Sequence, residues 1–275
     1  MTRITEQPSP HRHLETRSVA ELTALINAED RLVAEAIGRS LPQLNRLIEE
    51  IVARLSAGGR LFYLGAGSGG RLSVLDVIEL PTTYGIEKGV FNVVLAGGID
   101  RLAEAPEEKE DEPLAGWEEL QAKGVSERDI VIGISASGTT PFVLGGLTRC
   151  RENGIATGCI VSNPESPIAA QADFPVEIVT GPEFITGSTR MKCGSVQKMV
   201  FDMISTTVLI RLGRVKDNRM VNVILINDKI TDRAVKMLME FAGMEDYDAA
   251  RGILLEHGSV QRAMDHLSKS AGNVG

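Results

Sequence analysis

No run of about 18 consecutive apolar residues occurs in this 275-residue chain, so no segment reads as a membrane-spanning helix. Positive charge is in deficit. Lys and Arg total 29 against 37 Asp and Glu, a net charge of −8. Such a chain is a poor general binder of nucleic acid or anionic membrane, and any phosphate it holds must be held by local geometry. A DNA-reading regulator would need a helix-turn-helix domain and a basic face, which the first 17 residues cannot supply. Cysteine is scarce. Cys150, Cys159 and Cys193 are an odd count without CxxC spacing, which argues against disulfides or a zinc site and for a reduced, cytoplasmic protein. The four histidines (His11, His13, His257, His266) lie near the ends, apart from the cysteines, and read as solvated side chains rather than metal ligands. The N-terminal residues lack the apolar core of a signal peptide. No internal repeat or low-complexity tract is evident.

What is present is a chain with 43% hydrophobic residues, long enough for one large α/β domain with an appendage. Residues 1–17 read as an extended arm broken by Pro8 and Pro10. Ser18 and Glu21 form a capping-box pattern that opens a helix, and a second helix is expected from Leu41 to Leu55, stopped by Gly58 and Gly59. Five apolar runs follow as strands: 60–67, 91–98, 129–138, 156–163 and 174–181. Helices are expected between or after them, from Arg71 to Glu79 (stopped by Pro81), from Pro141 to Asn153 and from Met191 to Leu212. Continuous apolar strands alternating with helices indicate a doubly wound, five-stranded parallel sheet, an α/β fold with N-terminal helices. Residues 218–227 are apolar without a clear period. From Asp228 onward the pattern is a small helical tail with little core of its own, so the expected division is 1–227 and 228–275.

In such sheets ligands bind beyond the carboxyl ends of the strands. The chain places three Gly/Ser/Thr-rich loops there. GAGSGG (65–70) follows the first strand, and its glycines fit a GxGxxG spacing; the second strand, however, ends in Leu95-Ala-Gly-Gly98 without the acidic residue a dinucleotide site wants. SASGTT (135–140) follows the third strand and brings four hydroxyls and a glycine to a helix N-terminus, more than an ordinary N-cap requires, and suits a phosphate. GPEFITGSTRMKCGSVQK (181–198) combines hydroxyls, Arg190, Lys192 and Lys198 at a helix start, again an anion-binding pattern.

Loops of this kind after strands one and three resemble those of the sugar isomerase (SIS) fold, which binds phosphosugars. The 181–198 stretch is very similar to the signature shared by the N-acetylmuramic acid 6-phosphate etherases and the glucokinase regulatory protein. Segments 59–76 (GRLFYLGAGSGGRLSVLD), 81–85 (PTTYG), 96–98 (AGG), 133–141 (GISASGTTP) and 26–30 (INAED) also agree with the bacterial etherases. The resemblance spans roughly residues 15 to 245. It departs at the first loop, usually GTSGR and here GSGGR (67–71), so that one hydroxyl is lost. It departs also at Cys193, where a smaller residue is usual, and in a short tail after Glu245.

The resemblance implies a cytoplasmic homodimer acting on a phosphorylated amino sugar without cofactor or metal. It makes Glu79 the proton donor to the ether oxygen. It makes Glu110, in PEEKED (106–111), the base and water activator, with Glu107, Glu108 and Glu112 as neighbours in the same acidic run. Without the resemblance, Glu79 reads as part of a solvated acidic helix face and 104–112 as a solvated acidic loop. Gly67, Ser68, Ser135, Ser137, Gly138, Thr139, Thr140, Ser188, Thr189, Arg190 and Lys192 are the expected substrate contacts, an ion pair being the competing reading for Arg190 and Lys192. A non-catalytic phosphosugar sensor of the same fold is the competing function.

Overall fold

A computed structural model describes residues 3–104 and 106–272. They group into two compact units, one formed by residues up to 77 and 89–205, the other by 78–88 and the residues from 206 onward.

The first unit is a parallel sheet of five strands: β1 Leu61–Gly65, β2 Phe91–Leu95, β3 Ile130–Ser135, β4 Ala156–Val161 and β5 Phe174–Glu177. Their order is β2-β1-β3-β4-β5, with the crossover between β1 and β3, so the carboxyl ends of β1 and β3 part at a topological switch point. β1, β3 and β4 are buried along their whole length, which is why their sequences are continuous apolar runs rather than alternating ones. One face carries Phe62, Leu64 and Val131 against Leu120 of α3 (Ala115–Ala122) and Phe142, Val143 and Leu147 of α4 (Pro141–Glu152). Each such side chain contributes about 1.5–3 kcal/mol by leaving water. The other face takes α1 (Val19–Ser56), whose Leu47 reaches Gly158 of β4, and α5 (Lys192–Arg211), whose Phe201 packs on Tyr63.

α1 is one helix of 38 residues, not two. Its buried stripe Val33, Ala36, Ile37, Ser40, Leu44, Leu47, Ile48, Ile51 and Leu55 runs in helical phase straight across Pro42. Pro42 and Gly38, whose carbonyl loses its donor, both lie on the exposed side where water can substitute. The capping box at Ser18 and Glu21 is present. α2 (Gly67–Tyr84) is longer than expected at both ends. The glycine-rich turn is itself the first turn of the helix, with Gly70 N–H bonding Ala66 O at 3.0 Å, and the helix continues through Pro81 to Tyr84.

The arm before α1 is irregular apart from two short 3-10 turns, Ile4–Glu6 and Leu14–Thr16, and it is pinned down. Asn163 accepts from Ile4 and Thr5 N–H and donates to Thr5 Oγ1, while Ser9 bonds Phe184 O and Thr186 Oγ1. His11 is not solvated. It is mostly buried against Phe184 and bonds Glu29 at 2.9 Å.

The second unit contains a two-residue-per-strand hairpin, β6 Val215–Lys216 and β7 Arg219–Met220, followed by α6 Asp228–Ala242, α7 Tyr247–His257 and α8 Val260–Gly272. These helices do have a core. Val221, Ala234, Val235, Leu238, Ala250, Leu254, Val260 and Ala263 are all buried together. His257 Nε2 is also buried, its ring stacked 4.3 Å from His266. No helix among the described residues is long and apolar enough to cross a membrane.

Candidate active site

At the carboxyl ends of β1 and β3 lies a cavity of about 390 Å³, within the range of small-ligand sites. Its first wall is the start of α2. The N–H groups of residues 67–69 have no intrahelical partner, and they belong to the positive end of a helix. Gly67 takes φ 55°, a left-handed conformation that glycine adopts without strain. A β-carbon there would lie 3.0 Å from the Glu110 carboxylate, so the bare backbone lets the acid approach.

The second wall is the turn after β3. Ser135 Oγ accepts from Gly138 N–H at 3.0 Å and shares hydrogen bonds with Thr140 Oγ1 (2.9 Å) and Ser137 Oγ (3.3 Å). Ser137 Oγ in turn meets Thr139 Oγ1 at 3.1 Å. Gly138 holds φ 72° with the Ser166 side chain standing where a β-carbon would go, so no side chain fits there. Ser135, Ser137 and Thr140 line the cavity; Gly138 and Thr139 shape the turn without lining it.

The acidic run supplies the third wall. Residues Glu107–Asp111 form a 3-10 turn, and Glu107, Glu110 and Asp111 face the cavity while Glu108 and Glu112 do not. The run is therefore not merely a solvated loop. Burial pushes the Glu110 carboxyl above the ordinary carboxylate range, the Glu107 charge adds to this, and Arg71 across the cavity partly opposes it. A carboxyl displaced toward neutrality beside hydroxyls and helix N–H groups can exchange a proton with a bound ligand.

The 181–198 stretch behaves differently from its sequence pattern. The start of α5 is already capped: the fully buried Glu183 accepts Lys192 N–H and Cys193 N–H, both at 2.9 Å. The Lys192 ammonium is buried too, donating to Glu29 and to Thr180 O. Lys192 thus sits in an ion pair with α1, and Arg190 is exposed. Of this stretch only Thr189 and Gln197 line the cavity; Ser188, Arg190 and Lys192 do not. Glu79 lies three turns beyond Gly67 on α2, exposed, and is not among the lining residues. The cavity's cations are Arg71 and Arg3, the latter from the N-terminal arm with Glu6 beside it. Neither Arg3 nor Gln197 carried a sequence signal of its own, since one stood in a polar arm and the other in a helix read for its anion pattern.

The profile of the glucokinase regulatory protein N-terminal SIS domain matches residues 43–151, and that of the SIS domain matches residues 118–207. Solved structures agree at the level of fold. The chain superposes on a phosphoheptose isomerase from Neisseria gonorrhoeae with TM-score 0.54 and 17% identity, over 70% of this chain and 98% of that one. Another from Francisella tularensis gives TM-score 0.53 and 13% identity, over 73% and 100%. Sequence relatives are much nearer. An N-acetylmuramic acid 6-phosphate etherase of Porphyromonas gingivalis is 52% identical over 97% of both chains. Those of Bacteroides fragilis and Geobacillus are 50% and 40% identical, over 96% and 95% of this chain and 93% of each relative. At that identity over nearly the whole length, on a SIS sheet with its cavity at the β1/β3 switch point, the chain belongs to the N-acetylmuramic acid 6-phosphate etherase family.

Proposed function

We propose that the protein is a carbon–oxygen lyase that removes D-lactate from C3 of N-acetylmuramic acid 6-phosphate and leaves N-acetylglucosamine 6-phosphate. The observation that carries this reading is the near-full-length identity of about half to relatives bearing that name. The cavity supports it. The hydroxyls of Ser135, Ser137 and Thr140 and the free N–H groups at the start of α2 suit a phosphate. Arg71 and Arg3 offer charge for a second anionic group, the lactyl carboxylate.

The chemistry sets its own demands. The C2 proton is acidic only next to a carbonyl, so the sugar ring must open to its aldehyde. A base then takes the C2 proton as the C3–O bond breaks, and an acid protonates the departing lactyl oxygen. Water adds at C3 of the unsaturated intermediate, its hydroxyl bonding to carbon and a proton returning to C2. Two carboxyl groups in different protonation states suffice for these transfers. Glu110, half-buried and against the start of α2, fits the base and water activator. Glu79 is assigned the acid on family resemblance. Ser68 and Thr189 join the substrate contacts, while Gly138, Thr139, Ser188 and Lys192 act by shaping the loops that carry them, and Arg190 is left for the exposed rim. The enzyme is taken to work as a homodimer in the cytoplasm; Leu75 and Ile78, exposed one turn apart on α2, support a face covered by a partner.

Purified protein is expected to release D-lactate from N-acetylmuramic acid 6-phosphate with no added metal or nucleotide. An NMR time course in which the substrate binds but persists would leave a phosphosugar sensor of the same fold, the reading favoured by the match to the glucokinase regulatory protein domain.

A further inference from the structure

Gln197 is 3% exposed and stands on α5, in the second turn. Its side chain makes no hydrogen bond to any described residue, yet it borders the cavity. Both amide atoms lie 2.9 Å from where a β-carbon of Gly69 would stand, and Ile134 of β3 is the other neighbour at that point. The amide therefore occupies the floor between the two phosphate-type loops, and the absence of a side chain at residue 69 makes room for it. The residue is enclosed by protein while its amide opens on the cavity without a protein partner, so a polar group of a bound ligand can satisfy it.

We propose that Gln197 is a substrate-contacting specificity residue, whose amide pairs with an uncharged donor–acceptor group of the sugar, a hydroxyl or the acetamido group. The choice of partner follows from the distribution of charge and hydroxyls. The phosphate has the loop hydroxyls and helix N–H groups, and the carboxylate has the arginines. A neutral amide, with two donors and one acceptor, complements the part of the sugar that carries neither charge. A site built to bond a substrate N–H or O–H rejects analogues that lack it, because the buried protein group is then left unpaired. The inference rests on the phosphosugar reading above and adds to it the element that would distinguish sugars.

The test is Gln197→Met, which keeps length and volume and removes only the polar atoms. Binding of N-acetylglucosamine 6-phosphate and of glucose 6-phosphate is measured by calorimetry, with thermal melts of the free proteins. The expected result is roughly tenfold weaker binding of N-acetylglucosamine 6-phosphate, with a melting temperature equal to or above that of the parent. If the amide pairs with the acetamido group, the parent's preference between the two sugars collapses in the variant. If it pairs with a hydroxyl common to both, the two affinities fall together. Affinity within about twofold of the parent overturns the inference, and so does a lowered melting temperature, which would make Gln197 a structural residue. A parent protein that binds these sugars but releases no lactate would fail the etherase reading alone and leave this comparison standing.

Discussion

Glu110 is held between opposing influences. Burial and the Glu107 charge favour its neutral form, and Arg71 favours its carboxylate. Because its native pKa is raised above the unfolded value, the native state binds the proton more readily than the unfolded chain does. That contribution to stability is complete below the ordinary glutamate range and is lost as pH rises through the native value. Glu110→Gln, which mimics the protonated acid, should therefore melt higher than the parent at pH 8 and the same as the parent at pH 4. Its turnover should be lost while N-acetylglucosamine 6-phosphate still binds. Paired melts and calorimetry check both halves, and a variant that melts lower at pH 8 would contradict the placement of this carboxyl. Glu79→Gln carries the complementary expectation. Loss of the acid should lower turnover by 10²-fold or more with binding retained, since general acid–base groups typically contribute that much. Near-normal lactate release by that variant would remove Glu79 from the mechanism. It sits on the exposed side of α2, so the substitution should leave stability within about 0.5 kcal/mol.

The strands of the sheet were legible because burial on both faces writes itself as unbroken apolar runs, and the loops after β1 and β3 were legible because each ends such a run. The helices were less so, for local reasons. Pro81 reads as a stop and Leu41 as the start of a second helix, yet α2 runs through Pro81 and α1 keeps one buried stripe across Pro42, where tertiary packing outweighs a single missing hydrogen bond. The cavity was half legible. Hydroxyls after a strand announce themselves, but Arg3 arrives through Asn163, which ties Ile4 and Thr5 to the carbonyls of Ala136 and Ser137. No local pattern shows a contact across some 160 positions. The start of α5 misled for a related reason: its anion is internal, the carboxylate of Glu183. That cap yields a prediction at the level of the element. Glu183→Ala leaves the first N–H groups of α5 buried and unpaired and opens a small void, at a cost of about 2–3 kcal/mol. The melting temperature should fall by roughly 5–10 °C. Phosphosugar affinity should fall with it, because the capped segment carries Thr189 and α5 carries Gln197. Glu183→Gln, which keeps one acceptor, should lose less of both; equal losses in the two variants would show that the cap bonds do not matter.

Across the whole molecule, buried apolar surface is unevenly divided. The sheet unit buries β1, β3 and β4 completely between helices on both faces. The helical unit rests on a smaller cluster around Val235, Leu238, Leu254 and Ala263. Amide protection follows the free energy of the opening that exposes each group, and small cores open at lower cost than large ones. Hydrogen exchange in low urea should therefore resolve two groups. Amides of β1, β3 and β4 should exchange through the opening of highest free energy and steepest urea dependence. Amides of α6, α7 and α8 should exchange through a smaller opening with a shallower slope, because less surface is exposed. N-acetylglucosamine 6-phosphate at about 100 times its Kd should add roughly 2.7 kcal/mol to the strand group, since only the folded sheet unit presents the hydroxyl-lined cavity. A single free energy and a single slope shared by the strands and α6–α8 would show instead that the helical cluster has no separate opening and that the chain unfolds as one cooperative body.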